Sequence, residues 1–429
     1  MIKKLCFAIL IFSACIIQAQ NNSSTQQYRE KIKRYLDKEN ALEGYYAIDS
    51  TGISMYSSPE NKAKHISDYK VYWGEINWLK FLFGNFPFEE IIALLNEKKD
   101  NDMYDNASLP KRNMPADSTL KGLRIAIDPG HIANTIKQAK MEKKFIDMKA
   151  DPKNGLKQDV QLIEAQLTFA TAMLLKEQLE KAGATVMLTR NQPGENAFGV
   201  SFEQWMQSSL KAAVDSATAN KDITEEEKQL FLTKGDSTAI FRKLFTNLET
   251  KERARKINSF LPDFTIIIHY NVDEKNTDWK KHTNKNFNMT FVGGSFMKDE
   301  MEKPLFRAEF LRLLLCDDLE KSINFSSYFV KSFEKNLTVP TAKIADADYL
   351  KQYCLPTEKP GVFCRNLTLT RMVHGTVVYG ETLYQDNVKE LMLLSKNEIT
   401  VNGIQTSMRV QQVANAYYEA VRNYVKNSR

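Results

Sequence analysis

IAIDPGHIANT, Ile125 to Thr135, runs a short apolar stretch into a turn and places a histidine directly behind it. Ile125-Ala126-Ile127 reads as a buried strand, and Pro129-Gly130 is a strong turn signal. In an open α/β sheet the ligands sit beyond the carboxyl ends of the strands, where His131 would stand. On this stretch alone, a loop histidine that hydrogen-bonds across the turn explains as much.

Outward from it, strand and helix alternate. A strand is expected at Leu123–Asp128, a helix from about Gln161 to Lys181 ending at Gly183, and a strand at Thr185–Thr189. A helix at Lys251–Phe260, a strand at Thr265–His269 and a late strand at Thr376–Gly380 follow. This order predicts an α/β fold with a mostly parallel central sheet. The catalytic part is expected to span 121–429, with insertions near 132–160 and, helical, near 195–250; Thr224 and Glu227 read as a capping box in the second. Residues 21–120 differ in texture and read as a small α+β extension of unknown role. Helical stretches are expected there at Gln26–Asn40 and Phe88–Lys98, a strand pair near Tyr45–Tyr56, and a linker at Asn106–Thr119.

The 429 residues are 43% hydrophobic and 26% charged, enough for a sizeable core. The net charge of +6 is spread among both signs, so no nucleic-acid-binding stripe emerges. MIKKLCFAILIFSACIIQAQ, residues 1–20, has two lysines, a short apolar run and then small and polar residues: the layout of a signal peptide. The chain is therefore expected to be exported, periplasmic or envelope-associated, with no membrane span in the mature chain; anchoring as a lipoprotein through Cys15 is the lesser alternative. Beyond that segment Cys316, Cys354 and Cys364 are an odd number without a Cys-x-x-Cys pair, and read as buried thiols.

A second apolar run, Thr265 to Ile268, also ends in a histidine, His269, so two of five histidines follow strands of one kind. Glu164 lies in the first turns of the crossover helix, where the helix dipole favours a carboxylate, and can face the same rim. Two imidazoles and one carboxylate with an open fourth position form the donor set of a catalytic zinc site. Such a site needs a general base, and Glu381, just past the late strand beside Gly380, is the candidate. His65, His282 and His374 are expected to stay off the metal, and Glu142 and Glu177 rank below Glu164.

Together these stretches resemble the zinc-dependent N-acetylmuramoyl-L-alanine amidases of bacterial cell-wall turnover. IAIDPGH resembles the family's first zinc-ligand strand, placing His131 on the metal. The run from Glu164 to Arg190 resembles its second block, and Arg253…Ile257-Asn258 followed by TIIIHYN its third, placing Glu164 and His269 there. VVYGETLYQDN resembles its closing strand, whose glutamate acts as base and falls on Glu381. The resemblance implies a three-layer α/β/α domain, peptidoglycan as partner, and hydrolysis of the amide between the lactyl group of N-acetylmuramic acid and L-alanine. Asn271 would contact the substrate or support the ligands. Where the family has two glycines after the first histidine, this chain has Ile132 and Ala133.

Two other readings fit the same residues: a zinc amidase acting on a different amide, and a catalytically silent wall-binding protein. The two insertions beside the ligands also suggest an enzyme held off until an activator protein moves one of them.

Overall fold

The protein is described by a computed structural model covering residues 25–98 and 119–428. The expected signal peptide, Cys15 and all of the expected linker but its last residue lie outside the described residues. The central sheet has seven strands: β1 (Arg124–Pro129), β2 (Thr185–Leu188), β3 (Phe264–Asn271), β4 (Met289–Val292), β5 (Cys354–Pro356), β6 (Val362–Arg365) and β7 (Thr376–Tyr384). Their order across the sheet is β5-β6-β4-β7-β3-β1-β2. The β7-β3-β1-β2 half is parallel, while β4 lies antiparallel to β7 and β5 antiparallel to β6, so the sheet is mixed with a parallel heart.

β3 is buried at every position, as a strand covered on both faces must be. Alternate residues sort to the two sides. Ile125, Ile127, Ile266 and Ile268 pack with α1 (Glu164–Lys181), α5 (Asp318–Leu337) and α6 (Met408–Asn427). Ala126 and Ile267 pack with α3 (Thr246–Phe260) and the short helix Thr368–Met372 on the opposite face. The expected three layers are present.

Four boundaries differ from expectation. Val160–Ile163 is a strand, paired with Phe145–Met148 in a hairpin, so α1 begins at Glu164 itself. Extension of the strand by β-branched Val160 and Ile163 outweighs the helical period read across them. β3 continues to Asn271, and β7 continues through Glu381 to Tyr384, with a register shift after Glu381. Glu381 therefore sits inside a strand rather than past its end. The helix Thr246–Phe260 starts five residues before the expected Lys251, following a single π-turn at Phe241–Phe245.

Residues 25–98 form a three-stranded antiparallel sheet, Tyr46–Ile48, Gly52–Met55 and Tyr69–Tyr72, with the helices Ile76–Asn85 and Phe88–Glu97. The third strand and the first of these helices were not anticipated. The region has no core of its own: Ile53, Val71, Leu79 and Phe83 share one hydrophobic cluster with α4 (Pro304–Leu315) and with Val292 of β4. Ser295 and Phe296 donate backbone N–H groups to Tyr35 and Leu36 (2.8 and 2.7 Å), stitching the two parts. The second insertion carries α2 (Phe202–Ala219) and a separate aromatic core, and the Thr224–Glu227 capping box is formed. Cys316, Cys354 and Cys364 are buried and free.

Gly380 packs against α6, where an added Cβ would lie 2.2 Å from the hydroxyl oxygen of the buried Tyr417. Gly380→Ala should destabilise the fold by about 1–3 kcal/mol through overpacking. Denaturant unfolding measures this, and an unchanged midpoint would show that α6 can shift freely.

Candidate metal centre

β1 runs into Gly130 and then His131, whose φ of 61° is left-handed. A residue with a Cβ held there costs on the order of 1–3 kcal/mol, so the surroundings must enforce it. Two buried guanidinium groups do so. Arg253 of α3 donates from Nη1 to the Pro129 carbonyl (3.0 Å) and the Asp128 carboxylate (3.3 Å), and from Nη2 to the His131 carbonyl (3.3 Å). Its Nε pairs with Glu249 at 2.7 Å. Arg190 donates to the carbonyls of Gly130 (3.3 Å) and Ala165 (3.0 Å), which ties the turn to the start of α1. Gly130 has to be glycine, since a Cβ would come within 2.3 Å of the His269 ring.

The departures after His131 have a structural reason. The N–H groups of Ile132 and Ala133 donate to the two oxygens of Glu142 (2.9 and 3.2 Å). The Ile132 side chain, 5% exposed, is buried in the aromatic core of the second insertion with Phe202, Trp205, Phe241 and Phe245. The insertion and the histidine loop are thus packed as one body. Glu142 braces the loop, and burial, only partly offset by those two N–H groups, raises its carboxyl to about 7. Glu177 pairs with Lys181 on the surface.

The hairpin delivers Glu164 to the rim at the first position of α1, its backbone N–H bonded to the Lys144 carbonyl (3.3 Å). Its Oε1 stands 3.3 Å from His131 Nε2 and 3.1 Å from His269 Nδ1. Its Oε2 accepts from Gln385 Nε2 at 3.1 Å. One donor atom from each of His131, Glu164 and His269 lies within 4.8 Å of the others. The two imidazole rings meet edge to face, 4.8 Å between centroids. The Tyr379 ring stacks on His269 at 4.5 Å and 5°, closing that side.

The chemistry of this group suits a divalent metal. Burial keeps His131 neutral, with its pKa lowered to about 3, and the buried Nε2 finds no hydrogen bond in the protein. Burial would raise the Glu164 carboxyl, but the imidazole side chains and the Lys144 ammonium outweigh it and hold the group well below the usual range. The His131 nitrogen and the Glu164 carboxylate are therefore ready to bind without loss of a proton.

Glu381 lies directly opposite His269 in the β7–β3 register, so the two side chains share a face. Burial raises its carboxyl, an effect reduced by His269, and its buried Oε2 is unpartnered. Asn271 is 9% exposed; its Nδ2 donates to the Tyr349 hydroxyl (3.0 Å) and its Oδ1 accepts from Val272 N (2.8 Å). That amide is committed to Tyr349 and Val272. His374 sits edge-on to Phe88, away from this group. Sequence reasoning passed over Gln385, Tyr379 and Lys144. Gln385 lay inside the quoted closing motif, but nothing local marked its side chain as turned toward Glu164.

In comparisons with known proteins, residues 125–423 match the family model described as N-acetylmuramoyl-L-alanine amidase. No match was found among curated proteins. Solved structures that match include the CwlD amidase from Clostridioides difficile in complex with the GerS lipoprotein, at 15% identity and TM-score 0.37, over 71% of this chain and 99% of that one. The amidase Ami1 from Mycobacterium smegmatis matches at 12% and 0.38, over 72% and 99%. The catalytic domain of CwlV from Bacillus (Paenibacillus) polymyxa var. colistinus matches at 14% and 0.37, over 71% and 98%.

Gln385→Met keeps the volume and removes the amide donor to Glu164. It should lower metal affinity about 10- to 100-fold with the metal-free fold intact, read by competition with a chelator. A Kd equal to that of the wild type would show that Glu164 needs no such support. The raised Glu142 carboxyl binds its proton more tightly folded than unfolded. Its contribution is present below the ordinary pKa near 4.5 and lost as pH rises through about 7. Glu142→Gln should therefore gain stability relative to the wild type between about pH 5 and about pH 8. A difference in unfolding free energy that stays flat with pH would refute this.

Proposed function

The chain belongs to the N-acetylmuramoyl-L-alanine amidase family, a class of peptidoglycan amidases, and from that premise we propose that it is a zinc enzyme cleaving the amide between the lactyl group of N-acetylmuramic acid and L-alanine of the stem peptide. The observation that carries this reading is the convergence of His131, Glu164 and His269 within 4.8 Å at one rim of the sheet, with Glu381 across from His269 on the next strand.

His131, Glu164 and His269 would hold the zinc through two nitrogens and one oxygen, a set that leaves a fourth position open. When bound, zinc supplies Lewis acidity, which polarises a carbonyl and acidifies water. The chain's residues do the remainder. Glu381 takes the proton of the attacking water on its buried carboxylate and returns it to the departing L-alanine nitrogen. A carboxyl raised by burial suits both transfers, because its affinity for a proton lies nearer that of the groups it serves. Tyr379 shields one face of His269, and Asn271 donates to the Tyr349 hydroxyl. Peptidoglycan as substrate places the protein outside the cytoplasm, in keeping with the signal-like residues 1–20. Among the described residues no helix is long and apolar enough to cross a membrane.

The test compares the wild type with Glu381→Ala and His269→Ala for bound zinc and for release of stem peptides from purified peptidoglycan. Glu381→Ala should keep its metal and lose about 10²- to 10⁴-fold in turnover. His269→Ala should lose the metal as well. A folded, zinc-loaded wild type that exposes no new L-alanine amine would refute the assignment and point to another amide or to a binding role.

A further inference from the structure

The cavity over the metal group, about 390 Å³, is lined by His131, His269 and Tyr379 on one side and by Phe241 and Arg242 of the second insertion on the other. Lys144, from the first insertion, completes its wall. Most charges here are already committed. Glu249 and Arg253 are paired at 2.7 Å, and Glu142 holds two N–H groups of the histidine loop. Arg242 is spent on the carbonyls of Met141 (2.8 Å) and Lys140 (3.2 Å). Lys144 differs. Among the described residues its ammonium enters no salt bridge, and its close partner is the face of the Trp279 ring, 5.7 Å from the centroid.

Lys144 nonetheless lines the same cavity as His131 and His269. Lys144 interacts electrostatically with His131, Glu164 and Glu381 together. Its position is fixed, because its carbonyl accepts from Glu164 N (3.3 Å) and the strand Phe145–Met148 begins at the next residue. A lone cation at this place repels a divalent ion bound to the same carboxylate, so it burdens the metal site unless an anion comes between them. Stem peptides carry carboxylates within a few bonds of the amide that is cut.

Resting on the amidase reading, we propose that Lys144 is a substrate-binding residue that captures a free carboxylate of the stem peptide and selects acidic stem peptides over amidated ones. The pairing is charge-assisted and lies in a partly enclosed cavity, where it is screened less than on the open surface. The neighbouring Phe241 and Tyr379 supply apolar walls that bind both kinds of peptide alike.

The experiment measures equilibrium binding of a soluble stem peptide with free carboxylates, and of its fully carboxamidated counterpart, to the zinc-loaded full chain, to Lys144→Gln and to Lys144→Arg. The wild type should favour the acidic peptide about tenfold or more. Lys144→Gln should abolish the preference, and Lys144→Arg should restore most of it. Equal binding of the two peptides by the wild type would overturn the proposal. A preference that survives in Lys144→Gln would also overturn it, by assigning the carboxylate to the metal. Binding needs no turnover, so the outcome is separate from that of the amidase reading: a preference that depends on Lys144 in a protein that cuts no peptidoglycan would sink only the latter. Kinetics add a further check. A loss in kcat with KM unchanged on both substrates would place Lys144 on the developing oxyanion instead and overturn the proposal.

Discussion

The Arg253 guanidinium is the constraint on which the site depends. It sits 4% exposed beneath the turn and reaches Asp128, Pro129, His131 and Glu249 at once. Its two carboxylate partners offset the cost of burying its charge, and the carbonyls satisfy its remaining donors. Removing either carboxylate would leave the cation under-compensated in a low-dielectric interior. Because the same group grips the carbonyl of His131, the strain of a left-handed histidine is balanced by interactions with its backbone rather than with its imidazole. Arg190 extends this grip to the first turn of α1, so His131 and Glu164 are fixed to each other through the protein.

The second consequence is electrostatic. Neutral His131, ionised Glu164 and raised Glu381 are three different answers to burial at one rim, set by what each group faces. Glu164 has Lys144 and hydrogen-bond donors around it. Glu381 has an unpartnered oxygen and a nearby like charge. The separation leaves one carboxyl ionised and the other with a raised affinity for its proton.

The added segments are not loose attachments. Ile132 anchors the second insertion to the histidine loop, and Phe241 and Phe245 of that insertion line the cavity. Residues 25–98 share their core with α4 and β4. An insertion built in this way shapes the site, and its removal would expose Ile132 and loosen the loop that carries His131.

The sequence by itself determined the parallel heart of the sheet, since uninterrupted β-branched runs such as Thr265–Ile268 fit only a strand covered twice, and turn chemistry places His131 after β1. It likewise marked Glu164, His269 and Glu381 as candidates, because each borders a strongly patterned run of sequence. Tertiary structure decided the rest. The hairpin at Phe145–Ile163 overrode a helical reading of Gln161–Ile163, because strand pairing is a long-range interaction that local periodicity does not carry. The pairing of Gln385 with Glu164, 221 residues away in sequence, and of Arg253 with Asp128, 125 residues away, arises only when separate strands and helices meet. Side-chain direction and burial then set the charge states, and neither is encoded within any short stretch of chain.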